Sequence, residues 1–124
     1  MNILEASSIN SHYGDIQVLW DMTLTVRKGQ LVALLGANGA GKTTTLKNIC
    51  GLLPPTSGNL VYAGQNITGL PVHVIADLGI MLIPEGRQLF PKMTVEENLI
   101  IGSYLKRAKA HRQHNLERVY DLFP

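Results

Sequence analysis

Residues 36–43 read Gly36-Ala37-Asn38-Gly39-Ala40-Gly41-Lys42-Thr43, and this run restricts the fold more than any other part of the chain. Before it stands a short, unbroken apolar stretch, residues 30–35, of the kind found in a strand covered on both faces. After it, residues 42–50 carry Leu46, Ile49 and Cys50 at helical spacing until Gly51 and Pro54-Pro55 stop the pattern. Strand, glycine turn and helix in that order predict a central parallel strand that feeds a helix. The turn itself fits G-x-x-x-x-G-K-[ST], in which each fixed position has a physical task. Glycines permit positive φ and close backbone approach, so consecutive amide N–H groups converge on a phosphate, and the start of the helix adds favourable partial charge. Lys42 is expected to reach β- and γ-phosphate oxygens, and the Thr43 hydroxyl to ligate Mg²⁺. The residues expected to hold a nucleotide are then Gly36, Ala37, Asn38, Gly39, Ala40, Gly41, Lys42, Thr43 and Thr44. A plain surface turn with a solvated lysine would leave the flanking strand and helix without a reason, so nucleoside triphosphate binding is the expected chemistry.

The remaining sequence supplies the frame. Residues 4–9 and 17–26 mostly alternate apolar and polar side chains (Val18, Trp20, Met22, Leu24, Val26), which predicts two strands joined by a turn at Tyr13-Gly14-Asp15. Residues 58–62 with a turn at Ala63-Gly64-Gln65 read as a small hairpin, residues 71–78 as a short amphipathic helix and residues 79–83 as another buried strand. From Thr94 onward the chain reads as helical. Thr94 and Glu97 have capping-box spacing, and Leu99, Ile100, Leu105, Leu116 and Val119 supply apolar faces. Trp20 and Cys50 are most simply core residues. A lone cysteine cannot close an internal disulfide and fits a reducing compartment. No run approaches the roughly 18 apolar residues of a membrane span, and residues 1–5 show no basic segment followed by an apolar one, so a cytoplasmic location is expected. Net charge of +2 is too mild to imply nucleic acid. Lys106, Arg107, Lys109 and Arg112 lack the interleaved aromatics of a nucleic-acid surface, and His111 and His114 have no third ligand nearby.

With these motifs in place, the whole chain resembles the ATP-binding subunits of ABC transporters. The segments Leu52-Leu53-Pro54-Pro55-Thr56-Ser57-Gly58 and Tyr62-Ala63-Gly64-Gln65 are similar to the family's linker and hairpin after the phosphate-loop helix. Residues 83–91, with Ile83-Pro84-Glu85-Gly86-Arg87, and residues 93–99 look like its Q-loop and the start of its helical subdomain. The resemblance implies an α/β fold: a P-loop NTPase core with an N-terminal antiparallel β subdomain over residues 1–91, and the beginning of a helical subdomain over residues 92–124. It implies ATP and Mg²⁺ as cofactors, and Tyr13 as the aromatic that stacks on adenine. Taken alone, Tyr13 also fits a hairpin-turn tyrosine half packed on the core. Glu85 stands where most members carry a glutamine that meets Mg²⁺ and the attacking water. A carboxylate can still ligate the metal, although it brings negative charge near the γ-phosphate; the other reading is a solvent-exposed loop carboxylate. The Pro-Glu-Gly-Arg form resembles the branch that imports branched-chain amino acids.

The family's L-S-G-G-Q signature, its Walker B aspartate with the following catalytic glutamate, and its switch histidine have no counterpart among these residues, so no catalytic residue is expected here. The Val72-His73-Val74-Ile75-Ala76-Asp77 segment imitates a Walker B strand but has Leu78 where the glutamate would stand. The chain is expected to be an N-terminal piece of a protein roughly twice as long, hydrolytically incompetent alone. In the whole subunit the resemblance implies an ATPase that dimerises with a second ATP-binding subunit and docks on membrane-spanning permease subunits, peripheral to the inner face of the membrane. The alternatives are a nucleotide-binding fragment without turnover, or the ATPase subunit of a urea or other small-solute transporter.

Overall fold

The computed structural model describes the chain from Met1 to Pro124 with the exception of Ala37, Asn38, Ala40 and Arg87. It divides into two compact units, Met1–Leu82 and Ile83–Pro124.

The first unit is built on a four-stranded antiparallel sheet of order β2-β1-β3-β4. β1 (Asn2–Tyr13) and β2 (Ile16–Arg27) form a long hairpin in which Tyr13 pairs with Ile16. Its two-residue turn is opened by Gly14 at φ 58, the left-handed geometry that such turns demand. β3 (Ser57–Tyr62) pairs along the other side of β1, and β4 (Gln65–Asn66) closes a short hairpin with β3. The hairpin expected at residues 58–62 is therefore present. Alternation in β1 and β2 is interrupted by irregularities: the register steps from Ala6↔Leu24 to Ile9↔Met22 and then to Ser11↔Leu19. Ser8 (φ 51) and Asp21 (φ 43) sit at these steps with left-handed backbones, the signature of β-bulges. Asn10 holds them together. Its Oδ1 accepts from Gln17 Nε2 at 3.0 Å and from the Asp21 amide at 2.9 Å, while its Nδ2 donates to Ser57 Oγ at 3.0 Å.

The extra residue in β2 changes the phase of the strand. Leu19 and, beyond the bulge, Met22 and Leu24 belong to or pack on the core, whereas Trp20 is 66% exposed. The expectation that Trp20 is a core residue is corrected by this bulge, which no two-residue periodicity can foresee. Cys50 is buried as expected.

α1 (Lys42–Cys50) occupies the expected residues and turns Thr44, Thr45, Asn48, Ile49 and Cys50 inward, while Leu46 stays exposed. Gly51 ends it at φ 87, and a Cβ there would lie 2.9 Å from the Leu70 carbonyl oxygen and 3.2 Å from the Val72 nitrogen. Only glycine therefore lets the end of α1 approach the start of α2 (Val72–Leu78). The segment that imitates a Walker B strand is thus a helix, as its proline start predicts. The core joins sheet and helices through Ala6, Ile9, Leu19, Ile49, Leu60, Ile67 and Ile75.

Two expectations fail. Residues 30–35 and 79–83 form no strand, and Leu31, Leu35 and Ile83 are each at least 90% exposed. A parallel strand buried on both faces exists only with neighbours to pair with and helices to cover it. Among the described residues, the ladders join β1 to β4 alone and all of them are antiparallel.

The second unit is helical. α3 (Val95–Ile101) opens with the expected capping box: the Glu97 amide donates to Thr94 Oγ1 at 3.1 Å, and the Thr94 amide to Glu97 Oε2 at 3.2 Å. Asn98 fastens the preceding turn, its Oδ1 accepting from the Phe90 amide at 2.9 Å and its Nδ2 donating to the Thr94 carbonyl at 2.8 Å. α4 (Lys106–Lys109) and α5 (Arg112–Leu122) follow, and Arg112 Nε donates to Ser103 Oγ at 2.7 Å. Leu99, Ile100, Leu105, Leu116 and Val119 are half-buried.

Candidate nucleotide site

The glycine-rich turn leads directly into α1. Gly39 has φ 87 and Gly41, the residue that caps the helix, has φ 93. At Gly41 glycine is favoured on two counts. The backbone is left-handed, and a Cβ would lie 2.9 Å from Leu19 Cδ1 and 3.4 Å from the Val18 carbonyl oxygen. The turn is thereby pressed against β2. The Gly41 carbonyl accepts the first bonds of the helix from the Thr45 amide and the Thr45 hydroxyl, both at 2.8 Å. Among the described residues no side chain caps the N-terminus, and the first turn carries no acidic residue. This leaves a helix start with the polarity that attracts an anion.

Lys42 Nζ donates to the Gly36 carbonyl oxygen, so the lysine lies across the turn and joins its two ends. Thr43 is exposed, whereas the Thr44 side chain is buried. Ala37, Asn38 and Ala40, three of the expected nucleotide contacts, lie outside the described residues. The residues present fit a triphosphate and its metal: left-handed glycines in the turn, a lysine reaching from its end back to Gly36, a helix start with no side-chain cap among the described residues, and an exposed Thr43 in the first helical turn.

The far end of α1 is tied to β1 by two adjacent side chains. Asn48, almost fully buried, donates through Nδ2 to Ser11 Oγ at 3.2 Å and to the Leu53 carbonyl at 2.8 Å. Lys47 Nζ lies 5.9 Å from the centre of the Tyr13 ring, within cation–π range. Tyr13 itself is 44% exposed at the hairpin end of β1. One helix therefore follows the glycine-rich turn at its start and sets Lys47 against the expected base-stacking residue near its end.

Glu85 belongs to the second unit, where it is exposed beside Gly86 (φ 74). Among the described residues no three His, Cys, Asp or Glu side chains gather to hold a metal ion, and no helix is long and apolar enough to cross a membrane. Sequence reasoning missed one feature. A cavity of about 300 Å³ lies beside the turn, lined by Val18, Leu19, Trp20, Met22 and Gly39. The alternating pattern of β2 concealed it, because only the bulge brings Trp20 to the surface.

Comparison with known proteins gives a consistent picture. Residues 19–123 match the family model described as "ABC transporter". The "High-affinity branched-chain amino acid transport ATP-binding protein BraG" of Pseudomonas aeruginosa is 41% identical over 122 residues, which is 98% of this chain and 52% of that protein. The "Lipopolysaccharide export system ATP-binding protein LptB" of Haemophilus influenzae is 41% identical over 100 residues, covering 81% of this chain and 42% of that protein. Among solved structures, the ADP conformation of an ATP-binding cassette of an ABC transporter superposes with a TM-score of 0.76 at 31% identity, over 82% of this chain and 40% of the other. The chain spans about half the length of the curated relatives it matches.

Proposed function

Because this chain belongs to the ABC transporter family, we propose that it binds ATP with the turn and helix start at residues 36–44 and that it serves, within a longer subunit, to couple ATP binding and hydrolysis to transport. Its fold is α/β, that of the ABC ATPase domains it superposes on, with the antiparallel β subdomain leading and helices following. The observation that carries the reading is the left-handed Gly41 wedged against Leu19 at the head of an uncapped helix, with Lys42 laid across the turn. Amide N–H groups of Gly39, Gly41, Lys42, Thr43 and Thr44 supply donors to the phosphates. Lys42 leaves the Gly36 carbonyl for β- and γ-phosphate oxygens, which a cation binds more strongly than a neutral carbonyl. Gly36, Ala37, Asn38 and Ala40 complete the loop. Tyr13 stacks on adenine, with Lys47 behind it. Thr43 would hold Mg²⁺, which when bound offsets the charge of the β- and γ-phosphates.

In this reading residues 1–91 are the ATP-binding core with its β subdomain, and residues 92–124 begin the helical subdomain. The Walker B aspartate, catalytic glutamate and switch histidine belong to sequence not included in these 124 residues. The partners are a second ATP-binding subunit and membrane-spanning permease subunits, which would keep the protein at the cytoplasmic face of the membrane. Import of branched-chain amino acids is favoured by the 41% identity to BraG over 98% of the chain. The equal identity to LptB over a shorter span supports the broader reading, an ATP-binding subunit whose cargo is set by its membrane partner.

Two paired measurements test this. Calorimetric titration with MgATP is expected to show binding to the 124-residue chain. Steady-state phosphate release is expected from a chain extended to the length of its relatives and not from the short one. Turnover by the short chain would contradict the assignment of catalysis to residues outside it.

A further inference from the structure

The charge of the chain is unevenly placed. Its net +2 comes from 11 Lys and Arg against 9 Asp and Glu. Within Met1–Leu82 basic and acidic residues are equal in number, so the surplus belongs to Ile83–Pro124. There it is gathered in one stretch: Lys106, Arg107, Lys109 and Arg112 follow one another with no acidic residue between Glu97 and Glu117. The structure gives these cations two different tasks. Arg112 is half-buried, and its Nε donates to Ser103 Oγ at 2.7 Å, while Ser103 Oγ donates to the Ile100 carbonyl at 2.7 Å. It therefore fastens the start of α5 to the end of α3. Lys106, Arg107 and Lys109 of α4 are exposed, whereas Leu105 and Ala108 between them are half-buried. The short helix is thus anchored by Arg112 and by its apolar side, with its cationic side outward. Tyr104, 59% exposed, adjoins it.

What such a face recognises follows from its shape. α4 is a single turn with one aromatic residue beside it in sequence. It offers neither a helix long enough to read a nucleic-acid groove nor a row of rings on which bases could stack. Lysine ammonium groups are point charges on flexible four-carbon stems and set no fixed geometry for their anion. A surface of spread negative charge satisfies them best, and clusters of Lys and Arg on a helix suit anionic lipid headgroups. A tyrosine, with an apolar ring and a polar tip, suits the headgroup level. We propose that α4 and its flank, with Lys106, Arg107, Lys109 and Tyr104, are a contact site for an anionic phospholipid bilayer, made by this chain itself rather than through another protein. The contact is electrostatic and shallow. It goes beyond the nucleotide reading and does not rest on it, because none of residues 36–44 takes part.

The test is co-sedimentation of the 124-residue chain with vesicles of phosphatidylglycerol and phosphatidylcholine mixed one to two, beside vesicles of phosphatidylcholine alone. Binding to the anionic vesicles is expected to exceed binding to the neutral ones at least about tenfold, and to be lost as salt rises from about 0.05 to about 0.5 M. A cation near an anionic surface tightens binding about fivefold, so Lys106→Gln combined with Lys109→Gln is expected to weaken it roughly 25-fold. Arg27→Gln combined with Lys28→Gln removes the same charge at an exposed pair where β2 ends, and is expected to leave binding within about twofold. Equal losses from the two pairs would reduce the effect to net charge and overturn the proposal. So would the absence of binding to anionic vesicles, or equal binding to both kinds. A fluorescent oligonucleotide is run alongside. Tighter binding to it than to the anionic vesicles at the same salt, lost with Lys106→Gln and Lys109→Gln, would assign the face to nucleic acid and overturn the proposal too. MgATP titration separates the two readings: the double variant at Lys106 and Lys109 is expected to bind nucleotide as the wild type does, and a loss of its nucleotide binding would overturn the claim that this face acts independently.

Discussion

Substituting Gly41 by alanine strikes the point where strand, turn and helix meet. The native residue caps α1 at φ 93, and the new Cβ would stand 2.9 Å from Leu19 Cδ1 and 3.4 Å from the Val18 carbonyl oxygen. Two costs follow. A left-handed backbone at a non-glycine residue costs about 1–2 kcal/mol. The shorter contact is with the end of a flexible side chain, so Leu19 can rotate away from its preferred rotamer at about 0.5–1.5 kcal/mol. The sum is about 1.5–3.5 kcal/mol, and at about 4 °C per kcal/mol for a chain of this size the melting temperature falls by about 6–14 °C. Gly39→Ala isolates the first cost. Gly39 has φ 87 and, among the described residues, nothing within 4 Å of its Cβ position, so its loss is limited to about 1–2 kcal/mol. Thermal unfolding followed by circular dichroism on both variants gives the comparison. If Gly41→Ala melts with the wild type, or no lower than Gly39→Ala, then the turn is not wedged against β2 and the argument for a preformed cradle fails.

Three further outcomes are expected. Thr94→Ala removes the capping box of α3 and costs about 1 kcal/mol locally, so the Glu97 amide should exchange with solvent roughly fivefold faster; unchanged exchange would mean that the cap does not hold in solution. Leu31→Ser with Leu35→Ser should change the stability of this chain by less than about 0.5 kcal/mol per site, because both side chains are at least 90% exposed, and a loss of several kcal/mol in urea titration would show that residues 30–35 are packed after all. Glu85→Gln should keep MgATP affinity within about threefold, since an amide oxygen still offers the metal a ligand; loss beyond about tenfold would show that the carboxylate charge itself is needed.

The local elements were legible because local chemistry determines them. Gly51 after a nine-residue apolar pattern marks α1 to the residue, and the Thr94–Glu97 spacing marks the start of α3 through two reciprocal hydrogen bonds. The glycine-rich turn that leads into α1 is legible for the same reason, since its glycines, lysine and threonine are contiguous. Features that depend on partners were not. Residues 30–35 and 79–83 have the composition of buried strands, but a strand is defined by the ladders on either side, and composition does not reveal whether those neighbours are present. Trp20 was misplaced because one bulge reverses the inside-outside alternation, and the Asn10 side chain that stitches this bulge to Gln17, Asp21 and Ser57 acts across segments far apart in the chain. The cavity beside the turn, lined by residues of β2 and Gly39, likewise exists only after the strand and the loop have docked.

In the proposed function the turn and the start of α1 hold the triphosphate, and Lys42 is its cation. Titration calorimetry of MgATP into the wild-type chain and into Lys42→Ala tests it most directly. A charge-assisted contact of about 1.5–3 kcal/mol is removed, so affinity should fall roughly 10- to 150-fold while the melting temperature of the unliganded chain changes little. Equal affinity in the two proteins would take Lys42 out of the phosphate site and contradict the claim.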